Sequence, residues 1–413
     1  MIHVNKHTLP NGLRIVHNED RSTQMVAINV VYDVGARDEA PTRTGFAHLF
    51  EHLMFGGSVN IPDYDAPVQD AGGENNAWTT NDLTNYYLTL PKQNAEVGFW
   101  LESDRMLGLA FSQQSLDIQR GVVMEEFKQR YINQPYGDAS HLVRSMAYTV
   151  HPYRWPTIGL EFSHIAEATL EEVKEFYYRF YAPNNAVLAV TGNIPFDEVV
   201  RLAEKWFAPI PARQVQKPIL PQEPEQTVIR RMEVERNVPV DALYMVFHTC
   251  NRLHPDYYAT DMLSDLLANG GSSRLIARLV KERQVFSQID AYITGSTDAG
   301  LLQITGKPVQ GVTLQQAEET VWKELEAFRC TLLDTQELEK VKNRYEAEYT
   351  FKSTNFLNNA VNMAYFELLS QAEDVNEETT RYRAVTPNDI CRVATRLFRP
   401  ENCSILYYKS SFK

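Results

Sequence analysis

Five prolines, Pro209, Pro211, Pro218, Pro221 and Pro224, fall within residues 208–225. Proline fixes φ and carries no N–H, so such a stretch belongs in neither a helix interior nor a central strand. An extended, poorly packed connection is expected there. The chain has 413 residues, more than a single hydrophobic core usually serves. We therefore expect an N-terminal domain over 1–212, a linker over 213–227 and a C-terminal domain over 228–413.

The two parts read alike in outline. Clusters of β-branched and apolar residues predict strands at 13–17, 25–32 and 186–191 in the first, and at 228–234, 243–248, 301–306 and 403–408 in the second. Helical patterns lie between, at 257–267, 273–283, 314–332 and 334–349 in the second part. Strands interleaved with helices in each half imply an α+β fold of two similar domains, a duplicated unit.

Charge and cysteine usage narrow the function classes. A formal charge of −13 argues against a nucleic-acid binder, whose affinity would rest on Lys and Arg contacts to phosphate. No apolar run reaches the roughly 20 residues that a membrane span needs. Cys250, Cys330, Cys391 and Cys403 form no C-x-x-C pair and suggest no disulfide framework. They fit a reducing, cytoplasmic compartment, or a periplasmic one if a leader has been removed. Cys250 reads as a buried neutral thiol, and His151 as a structural hydrogen-bonding group.

The chemistry concentrates at His48-Leu49-Phe50-Glu51-His52. Positions i and i+4 of a helix share a face, so both imidazoles can reach one ion, with Glu51 close by. This is the H-x-x-E-H order, the reverse of the commoner H-E-x-x-H of zinc proteases. Thr44 is placed to cap the helix and Gly56-Gly57 to end it. A carboxylate and two imidazoles in an apolar helix are costly unless a cation or hydrogen bonds compensate them. A catalytic zinc needs a third protein ligand and an open position. The helical segment 115–133 offers Glu125 and Glu126, on faces about 100° apart, and spacing alone does not choose between them.

These residues resemble those of the pitrilysin/insulysin/mitochondrial processing peptidase family, the inverzincins. Gly35-Ala36-Arg37-Asp38-Glu39 and Gly45 look like the entry to that family's metal helix. Gln119 to Glu126 resembles its third-ligand helix. Asn75-Asn76-Ala77-Trp78-Thr79 is similar to its substrate-holding edge strand. His151-Pro152-Tyr153 through Gly159 and Tyr181-Ala182-Pro183-Asn184-Asn185-Ala186 also match its pattern.

The resemblance implies mostly antiparallel sheets packed with helices, and one zinc per chain, on His48, His52 and Glu126. It implies Glu51 as the base and proton carrier of a zinc-dependent endopeptidase. Asn76 and Ala77 would pair with an extended peptide substrate inside a closed chamber. The second domain would lack the metal motif. Two positions depart from the family. Gln119 stands where a glutamate is common, a change expected to tune the ligand helix. Val280 and Ser287 align with an arginine and a tyrosine that reach the substrate. The resemblance therefore also implies a dimer, with a homologous subunit supplying that pair, or a homodimer if the register is shifted by one residue. The alternative to an autonomous peptidase is a non-catalytic or partner-dependent subunit of a processing-peptidase-like heterodimer.

Overall fold

Eleven strands form two sheets in a computed structural model that describes residues 1–330 and 333–412. The first sheet takes β1 (Asn5–Thr8), β2 (Arg14–Glu19), β3 (Met25–Tyr32), β4 (Glu74–Thr79), β5 (Thr84–Pro91) and β6 (Ala186–Gly192), in the order β1-β2-β6-β3-β5-β4. Only the β2–β6 pair is parallel. The second takes β7 (Arg230–Arg236), β8 (Ala242–His248), β9 (Phe286–Ile293), β10 (Leu301–Pro308) and β11 (Cys403–Ser410), in the order β7-β11-β8-β10-β9. Here only β7–β11 is parallel. Setting β1 aside, the two sheets have the same strand order and the same single parallel pair, which is a duplicated α+β unit.

The central strands explain themselves. β3 is buried almost throughout and β6 throughout, as expected of strands covered on both faces. The polar Asn29 and Asn85 inside this sheet exchange amide hydrogen bonds of 2.9 and 2.8 Å, so neither is left unsatisfied.

The compact units do not follow the two halves of the chain throughout. One unit comprises Met1–Lys128, Trp155–Leu220 and Thr350–Glu377; the other comprises Gln129–Arg154, Pro221–Tyr349 and Glu378–Lys413. The departure has a packing cause. The helix Phe356–Leu369 buries Ala360, Met363, Ala364 and Phe366 against Val16, Ala27, Val31, Val187 and Ala189 of the first sheet. The helix Ala139–Ala147 buries Val143, Met146 and Ala147 with Ala242, Tyr244, Val246 and Leu406 of the second. A sheet that is apolar on both faces needs two covers, and each sheet takes one of its covers from beyond its own stretch of chain.

The proline-rich segment has no regular secondary structure over 211–227, as expected, but it is not loosely packed. Within the first unit, Lys217 pairs with Asp33 at 3.0 Å and with the buried Asp38 at 3.3 Å. Within the second, the Glu223 carboxylate accepts from the N–H groups of Thr149, Val150 and His151 and from the Thr149 hydroxyl. Gln226 donates to the carbonyl of Cys403. Side chains anchor what prolines leave without ladder hydrogen bonds.

The remaining elements of the second part fall close to their sequence positions. Helices span Tyr257–Ala268, Leu314–Cys330 and Thr335–Ser353, and 273–283 is realised as a wide, π-type turn over Ile276–Glu282. The expected end of a helix at Leu332 lies outside the described residues.

In the first unit the fully buried Arg105 donates from Nε to Glu102 at 2.9 Å and lies over the rings of Phe55, Tyr64 and Tyr86. Tyr64 adds a 2.6 Å bond to the same carboxylate. Removing one partner of such a pair leaves a buried charge uncompensated. Arg105→Ala is expected to cost about 3–5 kcal/mol, read as a lower midpoint in urea unfolding.

Candidate metal centre

The metal motif lies on a short helix, Phe46–Leu53, whose faces have different partners. Phe50 stacks on Phe176 and Tyr181 with ring centroids 5.1 and 5.2 Å away, and Phe46 meets Phe176 at 5.9 Å. These contacts pin one face to the region of the helix Leu170–Phe180. The imidazoles of His48 and His52 then project together from another face, edge to face at 4.9 Å.

The helix entry differs from the expectation. Thr44 does not cap it; its Oγ1 accepts from the Leu160 N–H at 2.7 Å and meets His164 Nδ1 at 2.8 Å. The residue before the helix is Gly45, at φ +91°, where a Cβ would stand 2.6 Å from the Ile158 carbonyl oxygen. The free N–H groups of the first turn go instead to the buried carboxylate of Glu39, which accepts from Gly45 and Ala47 at 2.8 Å each. Burial pushes the Glu39 carboxyl upward, and these two hydrogen bonds oppose that shift. Past the helix, Gly57 takes the left-handed conformation at φ +100°.

The helix Gln113–Phe127 starts on Ser112, whose side chain accepts from the Ser115 N–H. Arg120 ties it to the Ala168 carbonyl at 2.9 Å. This orientation separates the two candidate glutamates. Glu125 is exposed and pairs with Lys128 at 3.2 Å. Glu126 turns inward, its Oε2 lying 3.6 Å from His48 Nε2 and 3.5 Å from His52 Nε2. His48, His52 and Glu126 each offer a ligand atom within 4.8 Å of the other two, the one such group found among the described residues.

These separations fit a zinc ion. Ligands at about 2.1 Å in a tetrahedron stand about 3.4 Å apart, close to the 3.5 and 3.6 Å observed. Two imidazoles and one carboxylate also match a donor set of catalytic zinc, which keeps a position open.

Glu51 is not one of the three. Its Oε2 accepts a 2.7 Å hydrogen bond from Thr79 Oγ1, at the end of β4. β4 is the outermost strand of its sheet, paired with β5 only. Asn76 is exposed on it, and its Oδ1 accepts from the N–H of Ala77 at 2.8 Å. Gln119 lies on the ligand helix with its amide nitrogen 3.9 Å from where a Cβ on Gly56 would stand, beyond the C-terminal end of the metal helix. Val280 packs on the core of the second unit, and Ser287 on β9 donates to the Lys307 carbonyl. His151 is buried and accepts from the Tyr153 N–H at 3.2 Å, and Cys250 has its thiol pushed up by burial.

Two family models match the chain: insulinase (peptidase family M16) over residues 14–158, and peptidase M16 inactive domain over 167–345. The chain belongs to the M16 peptidase family. It is 26% identical over 410 residues to the zinc protease PqqE of Helicobacter pylori, covering 97% of this chain and 92% of that one. It is 26% identical over 359 residues to the uncharacterized zinc protease YmxG of Bacillus subtilis, covering 85% of each. A crystal structure of a protease from Helicobacter pylori superimposes with a TM-score of 0.94 at 26% identity, over 99% of this chain and 100% of that one. His48, His52 and Glu126 all lie within the residues matched by the insulinase model, and none lies within those matched by the inactive-domain model.

Two residues that shape this site carry no mark of their roles in the sequence. Thr79 reads only as part of its strand, and Glu39 only as part of the motif before the metal helix. Glu39 caps an N–H eight residues on, outside any local capping pattern. Glu39→Ala leaves buried N–H groups without acceptors, and a loss of about 1–3 kcal/mol is expected. Urea unfolding reads this loss, and metal analysis should show weaker zinc retention.

Proposed function

We propose that this chain is a zinc-dependent endopeptidase acting on peptides or unfolded segments. The convergence of His48, His52 and Glu126, with Glu51 held beside them, carries this reading. Zinc, when bound, supplies Lewis acidity that brings the pKa of a water to near 7. Glu51 takes the proton of the attacking water and delivers one to the leaving amine, the role of a general base and acid in amide hydrolysis. Thr79 orients that carboxylate through Oε2. The open edge of β4 receives the substrate as an added strand. The Ala77 N–H is engaged by a neighbouring side chain rather than by β5, so it faces the open side, and a peptide carbonyl would replace Asn76 Oδ1 there.

One observation favours a partner-dependent form of the same reading. Val280 is committed to the core and Ser287 to a backbone carbonyl, so the chain offers neither an arginine nor a tyrosine at those positions. In this form a homologous subunit supplies both groups, and the zinc-bearing chain is active only as its partner.

Glu51→Gln is expected to retain about one zinc per chain and to lose about 10²- to 10⁴-fold in kcat, the usual contribution of a general base. Chelation should abolish hydrolysis and zinc should restore it. Parent-rate cleavage by Glu51→Gln rejects Glu51 as the base. Native mass analysis of protein purified from source cells distinguishes an autonomous enzyme from a heterodimer.

A further inference from the structure

Glu126, the third member of the trio, stands on a helix with two contact faces. An α-helix turns about 100° per residue, so each position of Gln113–Phe127 has a known place around the axis. Ser115, Gln119 and Glu126 fall within about 20° of one line. That line meets the region of the metal helix: the Ser115 hydroxyl donates to the Gly56 carbonyl at 3.3 Å, and Glu126 reaches His48 and His52. Leu116, Arg120, Val123 and Phe127 lie about 60–120° further round. Leu116 and Val123 are buried, and the Phe127 ring meets Phe162 edge to face at 6.0 Å.

Arg120 is the polar member of the second face. One guanidinium nitrogen donates to the carbonyls of Ala166 at 3.3 Å and Ala168 at 2.9 Å, and another donates to Asp117. Those carbonyls lie at and just past the end of the helix Phe162–Ala166, where no intrahelical N–H remains to serve them. A cation is favoured at such an end. The arginine side chain is only 23% exposed, so the attachment belongs to the packed structure rather than to the surface. It also bears on the metal site. The Glu126 carboxylate stands about 5–6 Å from the helix axis, so a turn of about 20° would carry it about 2 Å. A metal site tolerates misplacement of only about 0.5 Å. Apolar packing permits small rotations, whereas a rigid guanidinium fork held on fixed acceptors resists them.

We infer that Arg120 is a positioning residue for the third zinc ligand: its grip on the Ala166 and Ala168 carbonyls sets the rotation of the helix and so aims Glu126 at His48 and His52. The inference rests on the reading of this trio as a zinc site. It assigns Arg120 no contact with metal or substrate, and its effect passes through Glu126.

The test is Arg120→Met, which keeps an unbranched apolar stem and removes the donors, with Arg120→Lys as the second variant. Zinc affinity of the folded protein is read by competition with a chelating dye. Arg120→Met should weaken it about 10- to 100-fold, the usual effect of losing a group that orients a metal ligand. Arg120→Lys keeps the charge without the fork and should recover part of that loss. In a Glu126→Gln background, Arg120→Met should cost less than about threefold, because the group it aims is already gone. An arginine that serves only the fold would lower the urea midpoint and leave the zinc affinity of the folded protein unchanged. Parent-like affinity in Arg120→Met overturns the inference, and so does an equal loss with and without the Glu126 carboxylate. If Arg120→Met does not fold, Arg120→Lys decides by the same comparison. A parent that retains no zinc overturns the zinc reading instead. A zinc-free cycle of Arg120→Met, or of Arg120→Lys in its place, with Glu126→Gln, read by urea unfolding, then decides the role of Arg120. A departure from additivity of about threefold or more in the unfolding constant supports it, and additivity overturns it.

Discussion

The packing of one eight-residue helix is the constraint on which the site depends. Helix Phe46–Leu53 is too short to be stable alone. Its orientation comes from tertiary contacts: aromatic stacking of Phe46 and Phe50, and a buried carboxylate, Glu39, on the N–H groups of its first turn. With that helix fixed, His48 and His52 have one direction in which to point. A single inward glutamate from the helix Gln113–Phe127 completes the set. The polar groups are costly to bury, and they are compensated by one another, by Thr79 and, in the proposed zinc-loaded enzyme, by the metal ion.

Both sheets repeat one strand order with one parallel pair, yet among the described residues the one His/Glu trio able to hold a metal lies on helices of the first unit. Duplication of a scaffold without duplication of its chemistry is consistent with the principle that function resides in side chains placed on a fold rather than in the fold itself. The second sheet keeps the packing logic: an apolar central β8, and helices on it, one of them drawn from residues 129–154.

Much of this was legible in the sequence, for physical reasons. β3 begins and ends where its apolar run does, because a strand buried on both faces has no polar alternation to blur its limits. The His48/His52 pair was legible because a helix repeats at nearly four residues. Glu126 was not separable from Glu125 by spacing, and the family resemblance chose between them. What stayed hidden is non-local. Glu39 caps across a loop, Lys217 and Glu223 anchor a segment that composition marks only as irregular, and residues 350–377 belong with a sheet formed by residues more than 150 positions earlier. No periodicity records such pairings.

The most direct measurement is zinc-edge X-ray absorption on the purified chain, with His48→Ala as the comparison. The central claim predicts one tightly held zinc bound through nitrogen and oxygen at about 2.0–2.2 Å, with two imidazole contributions in the parent and one fewer in the variant. Sulfur ligation, or a spectrum unchanged by His48→Ala, would contradict it.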